Sequence, residues 1–166
     1  MKTNIAIKYG LIAGVGVAAY YLLFYYTNIE LFFNPVVAWA SLAIYLAAMF
    51  KACQDDRKAT PENYPFLPGL RMSFATFAVT SAVYYIFNYL LYNVIDPELI
   101  EIQKEIMFEQ IADMAKRFEM SDMKDSIKDF KEQDYTVTIA NSFLGWGWSL
   151  IGGFLLSLGV GAIMRR

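Results

Sequence analysis

The sequence predicts an all-α integral membrane protein with four transmembrane helices and a periplasmic amphipathic helical hairpin between the third and fourth. Three observations carry this. Four stretches contain no Asp, Glu, Lys or Arg: Tyr9 to Ile29, Leu31 to Phe50, Met72 to Ile95 and Tyr135 to Met164. Each is long enough, at about 1.5 Å per helical residue, to cross the ~30 Å hydrocarbon core of a bilayer. Every charge falls between these stretches, and the two sets of loops differ in sign. On one side stand Lys2, Lys8, Lys51, Arg57, Lys58, Arg71, Arg165 and Arg166 against Asp55, Asp56 and Glu62, an excess of five positive charges. On the other, six cations face thirteen carboxylates, a deficit of seven. Cytoplasmic loops carry the excess of Lys and Arg, so both termini are expected in the cytoplasm and the long acidic segment in the periplasm of a bacterial inner membrane.

The first span is read as roughly 9–29. Val17-Ala18-Ala19 resembles a signal-peptide cleavage site, but the apolar run continues through Tyr20 to Tyr26, which favours an uncleaved helix. The second span, roughly 31–50, follows a turn from Thr27 to Asn34 that ends on Asn34-Pro35, a helix-starting pair, so the two form an antiparallel hairpin. Lys51 to Leu70 holds Pro61, Pro65 and Pro68, too many for a continuous helix, and reads as a tether on the membrane surface. The third span is taken as 72–95 and the fourth as 137–163.

Between them lies the insert 96–134. Asp96 suits an N-cap and Pro97 a first helical position, so a new helix is expected there. Ile100, Met107, Ile111, Met114 and Phe118 form its apolar stripe, with Glu101, Glu105, Glu109 and Asp113 nearly opposite. Ser121 can cap a shorter helix bearing Met123, Ile127 and Phe130, which would complete the hairpin.

Composition narrows the chemistry. The 166 residues are 57% hydrophobic and suit one membrane domain, and the modest mean hydropathy of +0.35 reflects dilution by the charged insert. The absence of histidine removes imidazole ligands and His general bases. The lone Cys53 cannot form an intramolecular disulfide and reads as a reduced thiol. No ionisable side chain lies within a span, where ion-coupled transporters usually place one. Gly14-Val15-Gly16 lacks the rest of a phosphate-binding fingerprint.

Several local patterns extend over nearly the whole chain: Lys8-Tyr9-Gly10-Leu11, Tyr64-Pro65-Phe66 leading to Gly69-Leu70-Arg71, Tyr92-Asn93-Val94-Ile95-Asp96-Pro97-Glu98, Met120-Ser121 and Arg165-Arg166. Together they resemble a bacterial membrane family catalogued as domain of unknown function 4199. The resemblance implies four spans with an extracytoplasmic helical insert and supplies no activity. Glu62-Asn63 departs from the glycine that the family would place before Tyr64.

Three constellations are candidate sites. Ser149, Gly153, Ser157 and Gly161 repeat every four residues, and Gly10 and Gly14 begin a similar face on the first span. Small residues let another backbone approach closely, either inside the four-helix unit or at an oligomer or partner interface. Ser81, Tyr85, Asn88 and Tyr92 form a polar stripe on the third span, expected to bond between helices, with Asn141 or Ser142 as partners for Asn88, or to line a crevice for a small molecule or lipid headgroup. The row Glu101, Glu105, Glu109 and Asp113 repels itself by roughly 0.2–0.5 kcal/mol per pair and reads as a solvated face, with a basic partner or a divalent cation as alternatives, although nothing resembles a calcium loop.

The function expected is a non-catalytic accessory or structural subunit. It would associate through the small-residue faces and present the periplasmic hairpin to a protein partner. The alternative is a homo-oligomeric channel or carrier for a neutral or lipid-like solute along the Ser81 to Tyr92 stripe. A lipid-modifying enzyme has less to support it, because no acid and base are paired at membrane depth. No cofactor and no nucleic acid are expected; the partners are membrane lipids and either a second protein or further copies of the chain.

Overall fold

The computed structural model describes residues 3–59, 64–117 and 136–165, and those residues are helical without strands. In chain order they form α1 (Thr3–Thr27), a single turn α2 (Ile29–Phe32), α3 (Pro35–Lys58), α4 (Phe66–Leu90), α5 (Leu99–Arg117) and α6 (Ile139–Met164). Among the described residues, four segments are long and apolar enough to cross a membrane: Asn4–Thr27, Pro35–Lys58, Phe66–Ile95 and Ile139–Met164. The chain divides into two compact units, Met1–Asn88 with Ile139–Arg166, and Tyr89–Thr138.

In the first unit, caps rather than the charge boundary set the helix ends. Asn28 Oδ1 accepts from the backbone N–H groups of Glu30 and Leu31 at 2.9 and 3.2 Å, which makes α2 a separate turn. Asn34 Oδ1 accepts from Val36 N–H at 2.8 Å, and Pro35 follows as the first residue of α3. The second span therefore starts at Pro35 rather than at 31. It also continues as helix through Lys51 to Lys58, the first part of the segment expected to be a tether. The far end of that tether is helical too. Pro68 sits in the first turn of α4, where backbone N–H groups have no intrahelical partner, so proline costs no hydrogen bond there. Pro61, Glu62 and Asn63 lie outside the described residues.

Close approach of small residues sets the packing. A Cβ on Gly10 would come within 2.5 Å of Val79 Cβ, and one on Gly14 within 2.5 Å of Val83 Cβ, so α1 lies in parallel register on α4. Gly153 faces the Phe77 ring and Gly161 the Leu70 backbone, which runs α6 antiparallel to α4. Tyr45 stacks against Phe77 with ring centroids 5.2 Å apart, placing α3 against α4 as well. The starts of α1 and α4 thus meet the ends of α3 and α6 at one end of the bundle. Outward, Ile12, Val15, Trp39, Phe143, Trp148 and Ile163 are exposed, as helices solvated by lipid require.

The second unit begins where the helix after α4 widens to π geometry over Leu91–Ile95, closed by Asp96 N–H donating to the Leu91 carbonyl at 2.8 Å. Asn93 Nδ2 donates to the carbonyls of Tyr89 (2.9 Å) and Val137 (2.8 Å), tying the two ends of this unit together. Asp96 Oδ1 accepts from Glu98 N–H at 3.2 Å, and α5 starts one residue later. The expected second helix with Ser121, Met123, Ile127 and Phe130, together with Phe118, lies outside the described residues.

Candidate functional site

A polar cluster gathers at the bundle end formed by the last turns of α3. Cys53 and Asp56 are one turn apart, so they share a face, and both are buried: 0% and 3% exposed. A buried carboxylate is costly unless a donor meets it. Tyr64 supplies one, its hydroxyl donating to Asp56 Oδ2 at 3.0 Å. Burial holds the Tyr64 phenol well above the ordinary tyrosine range, with the neighbouring Cys53 and Asp56 adding to the effect, so it remains a donor.

The thiol faces α4. Cys53 Sγ donates to the Gly69 carbonyl at 3.4 Å, and the Ser73 hydroxyl, aimed at the same oxygen, is 2.8 Å from it. Ser73 Oγ is also 3.4 Å from the Ser157 carbonyl of α6. Gly69 is closely packed: a Cβ there would sit 3.2 Å from Tyr64 Cε1 and 3.4 Å from Gly161 Cα. Three other pieces of chain therefore converge on Gly69 of α4, namely α3, the Tyr64 segment and α6. Donors and acceptors are directed at one another, and what the arrangement can do is clamp this end of the bundle shut.

Asp55 turns the other way, toward α1. The Tyr9 hydroxyl donates to Asp55 Oδ2, and Lys58 Nζ lies 3.8 Å from Oδ1. Lys8 Nζ stands 5.5 Å from the centroid of the Tyr9 ring. Adjacent carboxylates thus serve opposite neighbours.

The small-residue faces are filled from within the chain. Gly10 and Gly14 meet α4, Gly153 and Gly161 also meet α4, and Ser157, fully buried, donates to the Gly153 carbonyl at 2.7 Å. Ser149 donates to the Trp146 carbonyl at 2.7 Å and stands beside the Tyr85 hydroxyl. Spacing alone says that a backbone comes close; it does not say whose. The glycines of α6 with no atom within 4 Å of an added Cβ are Gly147, Gly152 and Gly159.

The polar stripe is divided. Ser81 is 2% exposed and accepts from Trp146 Nε1 at 3.1 Å, an interhelical bond that joins α4 to α6. Tyr85 packs over Gly145, where a Cβ would lie 2.9 Å from its ring. Asn88 is half-buried, and Tyr92, buried, belongs to the second unit. The buried hydroxyls of Thr76 and Thr80 on the same helix donate to carbonyls one turn back at 2.9 Å. Among the described residues no buried polar side-chain atom lacks a partner.

On α5, Glu101, Glu105 and Glu109 are exposed while Ile100, Met107 and Ile111 are half-buried, so the carboxylates and the apolar stripe lie on different faces. Lys104 pairs with Glu101 at 2.9 Å. The side chain of Asp113 lies outside the described set. Sequence reasoning missed the Cys53, Asp56 and Tyr64 clamp. The available signal was an acidic residue one turn beyond a cysteine on a face shared with Met49 and Ala52, ahead of the Tyr64-Pro65 pair.

A family model described as a protein of unknown function, DUF4199, matches residues 8–166. No curated protein and no solved structure matches the chain. The motif residues Tyr64, Gly69 and Leu70 all fall in or beside the clamp, which gives them a packing role.

Proposed function

We propose that this chain, which belongs to the DUF4199 family, serves as a non-catalytic accessory or structural subunit of the bacterial inner membrane, its termini cytoplasmic and its second unit presented to a periplasmic protein. The observation that carries the reading is the separation of roles between the two units. The first spends its polar groups and small residues on its own closure, whereas the second displays Glu101, Glu105 and Glu109 on an exposed face. Such a row repels itself and is relieved by cations on a partner, which supports a basic docking surface opposite it. The orientation rests on the loop charges. Association through Gly10, Gly14, Gly153 or Gly161 is not part of the proposal, because those faces are occupied within the chain. A conducting path along Ser81 to Tyr92 draws no support either, since Ser81 is sealed against Trp146.

Purification of the tagged full chain from native membranes in mild detergent tests the proposal. A stoichiometric companion is expected, and it should be lost when Glu101, Glu105 and Glu109 are all changed to Gln while the helical content stays unchanged. Retention of the companion by that variant, or recovery of the wild type as a homo-oligomer alone, would count against it.

A further inference from the structure

Lys51, Asp55 and Lys58 follow one another at intervals of four and three and so share one face of α3. The Tyr9 hydroxyl from α1 reaches that face at Asp55 and brings Lys8 with it. The Asp55 carboxylate accordingly feels the charges of Lys51, Lys58 and Lys8 together. One carboxylate serves three ammonium groups; Asp56 is turned to the opposite side, and Glu62 lies outside the described residues. Lys8, Lys51 and Lys58 are all exposed.

Depth identifies what such a cluster meets. From Tyr9 to Thr27 α1 carries no charge over about 28 Å, and from Pro35 to Phe50 α3 carries none over about 24 Å. Both lengths approach the ~30 Å of the hydrocarbon core, so Lys8 and Lys51 stand together at its edge, where lipid phosphates lie. Two helices, a net positive charge and an aromatic ring meet at that one level.

We infer that Lys8, Lys51 and Lys58, gathered round the Tyr9–Asp55 pair, form a binding site for the headgroup of an anionic phospholipid. Asp55 and Tyr9 hold the α1 and α3 contributions at one place, and the ammonium charges in excess of Asp55 neutralise the phosphodiester. The inference stands apart from the proposed periplasmic partner, since it concerns the other unit.

Native mass spectrometry of the full chain, released from mild detergent with equimolar phosphatidylglycerol and phosphatidylcholine of matched acyl chains, reads the site directly. The wild type should retain phosphatidylglycerol preferentially. The preference should fall by about fivefold for each lysine neutralised in Lys8→Gln and Lys51→Gln. Lys104→Gln on α5 should leave it unchanged, and Lys51→Arg should preserve it. Lys51→Gln alone, at an exposed position, provides the same reading if the double variant is not monodisperse. Equal retention of the two lipids by the wild type, or an unaltered preference in Lys51→Gln, would overturn the inference. Displacement of the lipid by an equal concentration of inorganic phosphate would assign a free-anion site and overturn it equally.

Discussion

Replacing Gly153 with alanine places a methyl carbon 2.1 Å from Phe77 Cδ1 and 2.2 Å from Cε1, where ordinary van der Waals contact begins near 3.4 Å. The ring would have to retreat by the difference between 3.4 and 2.1 Å, which is 1.3 Å. It has little room to do so. Phe77 is 5% exposed, and the ring of Tyr45, itself buried, lies 5.2 Å from it between centroids. Overpacking of this kind costs about 1–3 kcal/mol. The adjacent Gly152 has nothing within 4 Å, so alanine there meets no obstacle and gains up to about 1 kcal/mol of helix propensity. Neighbouring, chemically identical substitutions should therefore act in opposite directions. Thermal unfolding of the two variants in one detergent, followed by circular dichroism, measures the contrast. Adding Phe77→Leu to Gly153→Ala should recover part of the loss, because the shorter side chain vacates the space that the methyl needs. Equal midpoints for Gly152→Ala and Gly153→Ala would refute the packing argument. A folded Gly153→Ala monomer stripped of a companion would show that this face meets another chain.

Further outcomes follow from the clamp and its surroundings. In a double-mutant cycle, Asp56→Ala and Tyr64→Phe should couple by about 0.5–3 kcal/mol in thermal stability, because each loses the same buried hydrogen bond. Because folding raises the Tyr64 phenol above its ordinary value of 10.0, the stability it contributes is complete below pH 10 and is lost as the pH rises beyond it. Tyr64→Phe should accordingly lose stability less steeply than the wild type in alkaline titrations followed by circular dichroism, and parallel curves would contradict that assignment. Trp146→Phe removes the donor to Ser81 and should lower the melting midpoint in detergent, whereas Trp148→Phe, at a position 73% exposed, should barely alter it. Cys53 is 0% exposed, so its silence toward a thiol reagent says nothing about sidedness. In a Cys53→Ser background, an impermeant maleimide applied to intact cells should label Glu105→Cys and spare Lys58→Cys; the reverse pattern would invert the orientation.

The four long helices were legible in the sequence because exclusion of charge from a bilayer acts on every residue of a span at once. Their ends were less legible. Helix α3 begins at the Asn34 cap and the following proline, and it continues past Lys51 because nothing in membrane solvation stops a helix at the headgroups. Pro68 was misleading for a related reason: it breaks a helix interior but is accommodated in a first turn. The glycine spacings mark a face that another element can approach, yet whether Gly153 meets Phe77 or a second protein depends on tertiary placement that spacing does not contain. The clamp was harder still to foresee. Asp56 looks like a solvated helix-end charge until the Tyr64 hydroxyl is seen to meet it, and Cys53 acquires its partner from Gly69 on the next helix.

Photo-crosslinking in native membranes reads the proposed docking of α5 on a partner, with the probe placed at Glu105 on the exposed face of α5 and, as a comparison, at Gly152 on the outer face of α6. Position 105 should yield one discrete crosslinked band containing a different polypeptide, and position 152 none. A band from position 152 alone, or a band from position 105 composed only of two copies of this chain, would contradict it.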